Sequence, residues 1–191
     1  MRDTVITHSR LAWRHERAQA AVASHHGLQA LPIEGLAARL AGGFLQPIDP
    51  DPLKAAITKA LSADLGDLNQ IKELPGFPRA AAATLSKAWA AGLNLANLAA
   101  TADPEAASRL AAVARLEEEV LRRLPPSMRR PADLVSAALP RRVYARTLFG
   151  RIAVHGRTEM SPVWRPLLAA LAAEIDVQWI AGPRSIACLL Y

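Results

Sequence analysis

Four short β-prone runs constrain this chain more than any other feature: Asp3-Thr-Val-Ile-Thr7, Leu28-Gln-Ala-Leu31, Arg151-Ile-Ala-Val-His155 and Asp176-Val-Gln-Trp-Ile180. The first two are separated by a helical pattern from Ser9, a candidate N-cap, to about Ser24, closed by His25-His26-Gly27. The last two are separated by a helix that Ser161-Pro162 begins and that ends near Glu174, with Pro166 delaying its true start. After the second run, Ile33-Glu34-Gly35 opens a short helix that ends near Leu40 at Gly42-Gly43. Neighbouring parallel strands need a crossover, usually a helix, so β-α, β-α and β-α-β favour a parallel sheet.

Between the two β-containing parts the pattern is helical throughout. Asp51 as N-cap and Pro52 at the first helical position start a helix with Leu53, Ala56, Ile57, Ala60, Leu61 and Leu65 on one face. Leu74-Pro-Gly-Phe-Pro78 reads as a rigid turn, and 79–91 as a helix with Leu85, Ala88 and Trp89 inward and Gly92 as its stop. Asp103-Pro104 starts another, carrying Leu110, Val113, Val120, Leu121 and Leu124, which Pro125-Pro126 ends. The expected organisation is therefore 1–48 as the first part of an α/β core, 49–147 as a helical insertion, and 148–191 as the second part of the core.

A chain of 191 residues is long enough for one well-buried domain or two very small ones, and too short for a large multidomain enzyme. Cys188 is its only cysteine, which excludes an internal disulfide and a cysteine-based zinc site and fits a reducing cytoplasm. No apolar run approaches the roughly 20 residues that span a bilayer, so the expectation is a soluble, untargeted protein.

The net charge of +6 is unevenly distributed. Residues 107–157 hold eleven arginines (Arg109, Arg115, Arg122, Arg123, Arg129, Arg130, Arg141, Arg142, Arg146, Arg151 and Arg157) against four acids, an excess of +7, while the remainder carries −1. Only four of the 23 basic residues are lysine, and the planar arginine fork matches phosphate in a bidentate way that an ammonium does not. An anionic partner follows from this reading, nucleic acid above all. The competing explanation is an Ala- and Arg-rich composition on solvated helix faces.

Parallel α/β folds bind ligands at the carboxyl ends of their strands. Those positions here read Thr7-His-Ser-Arg10, His155-Gly-Arg-Thr-Glu159 and Ala181-Gly-Pro-Arg-Ser185. None is a glycine-rich cradle with Lys and Ser/Thr, no GxGxxG occurs, and His155-Gly156 stands where a nucleotide hydrolase would carry an acidic pair for magnesium. No cofactor or metal is expected. His8, His15, His25 and His26 lack the helical spacing of a metal site, and Ser161 lacks a nucleophile elbow and reads as a helix cap. Glu159 has no identifiable acid–base partner. Trp13, Trp89, Trp164 and Trp179 offer rings for base stacking, but all lie at apolar positions where core packing is the expectation.

In order, these segments resemble the N-terminal, helicase-like region of AddB-type subunits of bacterial helicase-nucleases and of related PD-(D/E)XK nuclease family proteins, a degenerate superfamily-one, UvrD-like region. Val5-Ile-Thr-His-Ser-Arg-Leu-Ala-Trp-Arg14 is similar to the Thr-rich motif with its Ala/Arg helix, and Leu28-Gln-Ala-Leu-Pro-Ile-Glu-Gly-Leu-Ala-Ala-Arg-Leu40 to the next strand–helix element. Leu74–Ala80 and Trp89–Leu93 resemble the helical insertion. Ile152–Pro162 occupies the place of the Walker B strand, and Trp179–Ile186 that of the Gly-Asp-x-x-Gln-Ser-Ile motif.

The resemblance implies a helix-rich α/β fold with a partial parallel sheet of P-loop-NTPase/helicase type and an inserted all-helical subdomain. It also implies lost ATPase residues: no phosphate loop precedes Val5, His155-Gly156 replaces Asp-Glu, and Gly182-Pro183 replaces Gly-Asp. The expected role is non-catalytic, in DNA repair and recombination, holding or scanning DNA while a motor subunit hydrolyses ATP. The family's nuclease domain lies downstream, so the chain is expected to be a fragment without nuclease residues. The expected nucleic-acid contacts are Thr7, Ser9, Arg10, Arg109, Arg115, Arg122, Arg123, Arg129, Arg130, Arg141, Arg142 and Arg157, acting on backbone phosphates. The alternative is a scaffold that docks apolar helix faces onto a motor or nuclease subunit without touching DNA.

Overall fold

The structure, a computed structural model, describes residues 3–7, 10–156 and 159–180. It is a helix-rich α/β fold in which Gln46–Ala132 form one compact unit and the described residues before and after them form the other.

The first unit is built on a four-stranded, all-parallel sheet of β1 (Asp3–Ile6), β2 (Leu28–Leu31), β5 (Arg151–His155) and β6 (Val177–Ile180), in the order β2-β1-β5-β6. β1 is central, and Thr4, Val5 and Ile6 are all buried, as expected for a parallel strand flanked on both sides. β5 alternates: Ile152 and Val154 are fully buried in the core, while Ala153 and His155 turn to the opposite face. The core side is covered by α2 (Ile33–Leu40), α7 (Pro131–Ala138), α8 (Ala145–Phe149) and α9 (Arg165–Ala172), which contribute Ile33, Leu36, Leu134, Phe149, Leu167 and Leu171. Among the described residues one helix, α1 (Arg10–Val22), lies against the other face. The Thr4 hydroxyl donates to the Phe149 carbonyl at 2.8 Å, and the Gln29 amide to the Leu148 carbonyl at 3.1 Å, which pins the turn before β5 to its neighbours.

The second unit packs α3 (Pro50–Ala60), α4 (Phe77–Ala91), α5 (Leu95–Thr101) and α6 (Pro104–Arg123) around Leu53, Ile57, Leu65, Leu85, Trp89, Leu116 and Val120. A two-residue parallel pairing of β3 (Gln46–Pro47) with β4 (Met128–Arg129) joins its ends. Trp89 donates its indole N–H to the buried Glu117 carboxylate at 2.6 Å, and Arg130 donates to the same oxygen at 2.9 Å. One carboxylate thus ties α4, α6 and the segment after β4 together, and its burial is balanced by a charge-assisted pair.

Several expectations need correcting. Residues 133–147 belong with the sheet unit rather than the helical middle, because Leu134, Val135, Ala138 and Ala145 are buried in its core. Residues 46–48 fall in the helical unit, drawn there by the β3–β4 pairing. α3 starts one Asp-Pro step earlier than expected, with Asp49 as N-cap and Pro50 first; either Asp-Pro satisfies the same rule, and the Asp49 carbonyl accepts the Leu53 N–H at 3.1 Å. α4 likewise begins at Phe77, taking in Pro78 within its first turn. The Ser161 helix begins as a 3-10 turn, Pro162–Trp164, and Ser161 makes no capping bond with its side chain; α9 itself starts at Arg165, with Pro166 in its first turn. α5, absent from the sequence reading, is started by the Asn94 side chain, which accepts from the Asn97 N–H at 3.0 Å. Among the described residues, no helix is long and apolar enough to cross a membrane.

Candidate functional site

From β1 the chain steps outward to β2 on one side, and from β5 to β6 on the other. The strand order therefore reverses between β1 and β5, and a crevice at the carboxyl ends of these strands is where doubly wound sheets place ligands. Two side chains mark it. Thr7, buried, follows β1, and its N–H donates to the Leu31 carbonyl at 3.1 Å, holding the strand end against β2. His155 ends β5, and its Nδ1 stands 3.0 Å from Oε1 of Glu16 on α1. An ionised carboxylate only accepts, so Nδ1 carries the proton and the ring is held in one orientation.

Beneath α1 the open half of the sheet forms a cavity of about 400 Å³, with Glu16 and His155 among its lining residues. Asp3, also in its lining, pairs with His25 at 3.5 Å and with Arg151 at 3.3 Å. Apolar Val5, Ala153 and Ile180 contribute to the floor. An imidazole fixed by a carboxylate is suited to hydrogen bonding or proton transfer, but the crevice has neither a glycine-rich phosphate cradle nor an acidic pair. Among the described residues no cluster of three His, Cys, Asp or Glu side chains is placed to hold a metal ion.

The expected nucleic-acid contacts do not converge on this crevice. Thr7 is there, and Arg10 is the first residue of α1, its side chain outside the described part. Ser9 and Arg157 lie outside the described residues, as does Ala181–Ser185. Six of the arginines belong to the helical unit. Arg109 pairs with Glu105 at 3.9 Å, Arg122 and Arg123 both pair with Glu119, and Arg130 holds Glu117. Arg129 donates to the Pro126 and Met128 carbonyls, while Arg115 is exposed on α6 close to Gly66. Arg141 and Arg142 belong to the sheet unit, in the 3-10 turn Leu139–Tyr144, where Arg142 pairs with Glu174 at 3.4 Å and Arg141 lies against Gly42. Much of the arginine excess is thus matched locally by carboxylates and carbonyls; the heads of Arg109, Arg115, Arg122 and Arg141 are exposed, Arg109 and Arg122 while paired with a glutamate.

Two of the four tryptophans, Trp89 and Trp164, are buried as expected. Trp179 is 44% exposed at the edge strand, and Trp13 lies half-buried under the Arg17 guanidinium, 5.0 Å from the ring centre. Reading the sequence misses the Glu16–His155 pair, since 139 residues separate its members. It also misses the exposure of Phe44 and Tyr144, for which the only local signal is the Gly42-Gly43 pair before Phe44. No protein-family model matches the chain, and no curated protein matches it in sequence.

Proposed function

We propose that the chain is a non-catalytic, helicase-like DNA-binding and scaffolding part of a break-processing helicase-nuclease, of AddB type. In this reading the sheet unit is a P-loop-type core stripped of its ATPase residues and the helical unit is a subdomain inserted into it. The observation that carries the proposal is the adjacency of β1, β5 and β6: the three segments whose sequences resemble helicase motifs are parallel neighbours with their carboxyl ends on one edge. At that edge stand Thr7 and a His155–Glu16 pair, chemistry that can orient a polar ligand but offers no acidic pair to magnesium. DNA is held through phosphates, with Arg109, Arg115 and Arg122 of α6 supplying exposed charge.

Binding of labelled DNA by the purified chain across a salt series tests this. The affinity should fall steeply, log K against log salt having a slope of about −0.9 per phosphate contact on duplex. Replacing Arg109, Arg115 and Arg122 together by serine should flatten that slope. Salt-independent binding overturns the DNA role, and magnesium-dependent hydrolysis of ATP or DNA overturns the non-catalytic one.

The second reading, a protein-interaction scaffold, is favoured by the edge of the sheet. Among the described residues β6 pairs only with β5, and Trp179 and Ile180 on it are exposed, as are Leu11 and Val22 of α1. Retention of a motor or nuclease subunit by the triple-serine variant, with DNA binding lost, separates the two roles.

A further inference from the structure

Around Gly42 the sheet unit leaves aromatic rings in solvent near an exposed arginine. Gly42 and Gly43 follow α2 with φ of +113° and +82°, and the turn delivers Phe44 to solvent at 87% exposure. A Cβ at position 42 would stand 2.8 Å from Nη1 of Arg141, so the glycine is what admits the guanidinium against this turn. Arg141 belongs to the turn Leu139–Tyr144, which also presents Tyr144 at 59% exposure. The unit does not lack room for aromatics: Phe149 and Trp164 are buried in its core. Within the turn Leu139–Tyr144 the charged residues are Arg141 and Arg142, and it holds no acid. Glu174 faces this stretch, but it is taken by Arg142 at 3.4 Å, and its carbonyl accepts from Arg146.

An exposed ring beside an unshared guanidinium complements a polyanion whose bases are accessible, and single strands expose base faces that a duplex keeps stacked. We propose that the surface of Gly42–Phe44 and Leu139–Tyr144 binds single-stranded nucleic acid, Phe44 and Tyr144 stacking on bases and Arg141 contacting the backbone. This rests on the reading that the chain binds DNA and adds which form it prefers and where.

The test compares the full chain with F44A, Y144A, their double variant and R141S, using labelled oligothymidylate and a blunt duplex of equal length. Each alanine substitution should weaken oligothymidylate binding by about 5- to 150-fold, the range for losing one base stack. Duplex affinity and melting temperature should stay unchanged, because both rings are exposed. R141S should reduce the single-strand salt slope by about 0.7. Unchanged oligothymidylate affinity in the double variant, with the unsubstituted chain still binding DNA, overturns the stacking surface alone. So does an equal loss on single strand and duplex. No binding of either probe by the unsubstituted chain overturns the DNA-binding reading itself, and this inference with it.

Discussion

Asp64 shows how a residue with no part in the core can still fix local structure. Its carboxylate accepts from the Asn69 side-chain amide and from the Gly66 N–H, and Asn69 in turn accepts from the Leu65 N–H at 3.1 Å. These bonds, the Asn69 amide first, favour the charged form and hold the Asp64 carboxyl below its ordinary value of 3.8. A pKa lowered by folding contributes stability above the ordinary value and loses it as pH falls through the lowered one. The turn Asp64–Asn69 should therefore loosen only below about pH 4. In the N69A variant the Asp64 titration followed by carbon NMR should move up towards the ordinary carboxylate range; an unmoved midpoint would show that the Asn69 bond is not its cause. Glu117 is the contrasting case. From sequence it is one of three consecutive glutamates, Glu117-Glu118-Glu119. Only the helix phase, which turns it inward to Trp89 and Arg130, separates it from exposed Glu118.

At the scale of elements, starts and stops follow local chemistry closely. α4 ends at Gly92, which takes φ +73° while its N–H and that of Leu93 close back on the Trp89 and Ala88 carbonyls. Replacing Gly92 by alanine puts a Cβ in the left-handed region and should cost about 1–2 kcal/mol, read as a lower urea midpoint with an unchanged slope. A midpoint equal to that of the unsubstituted chain would mean the helix frays before Gly92. Where two starts satisfy the same rule, local chemistry does not choose. Asp49-Pro50 and Asp51-Pro52 carry the same signal, and the residues that the earlier start adds, Pro50 and Asp51, are exposed. The same limit explains α7 and α8. Their arginines and prolines mark them as a broken helical stretch, but burial of Leu134, Val135, Ala145 and Phe149 assigns them to the sheet unit.

Across the whole molecule there are two separate cores, one under the sheet and one among α3 to α6. Ile57 and Leu167 are fully buried, one in each. Truncating either to alanine should cost about 2–5 kcal/mol of the stability of its own unit. Hydrogen exchange should localise the damage: I57A should speed exchange within 46–132, and L167A in β1 and β5. Uniform acceleration by both variants would instead make the chain one cooperative body. The sequence by itself determined the four strands and most of the helices between them. Each is encoded within a few consecutive residues by hydrophobic period, caps and prolines. Only the tertiary structure decided that β1 and β5 adjoin at the reversal of strand order. It alone decided that His155 meets Glu16, that 133–147 join the sheet unit, and which arginines are spent on carboxylates. Those outcomes depend on contacts between residues far apart in the chain, and composition and local spacing do not encode them.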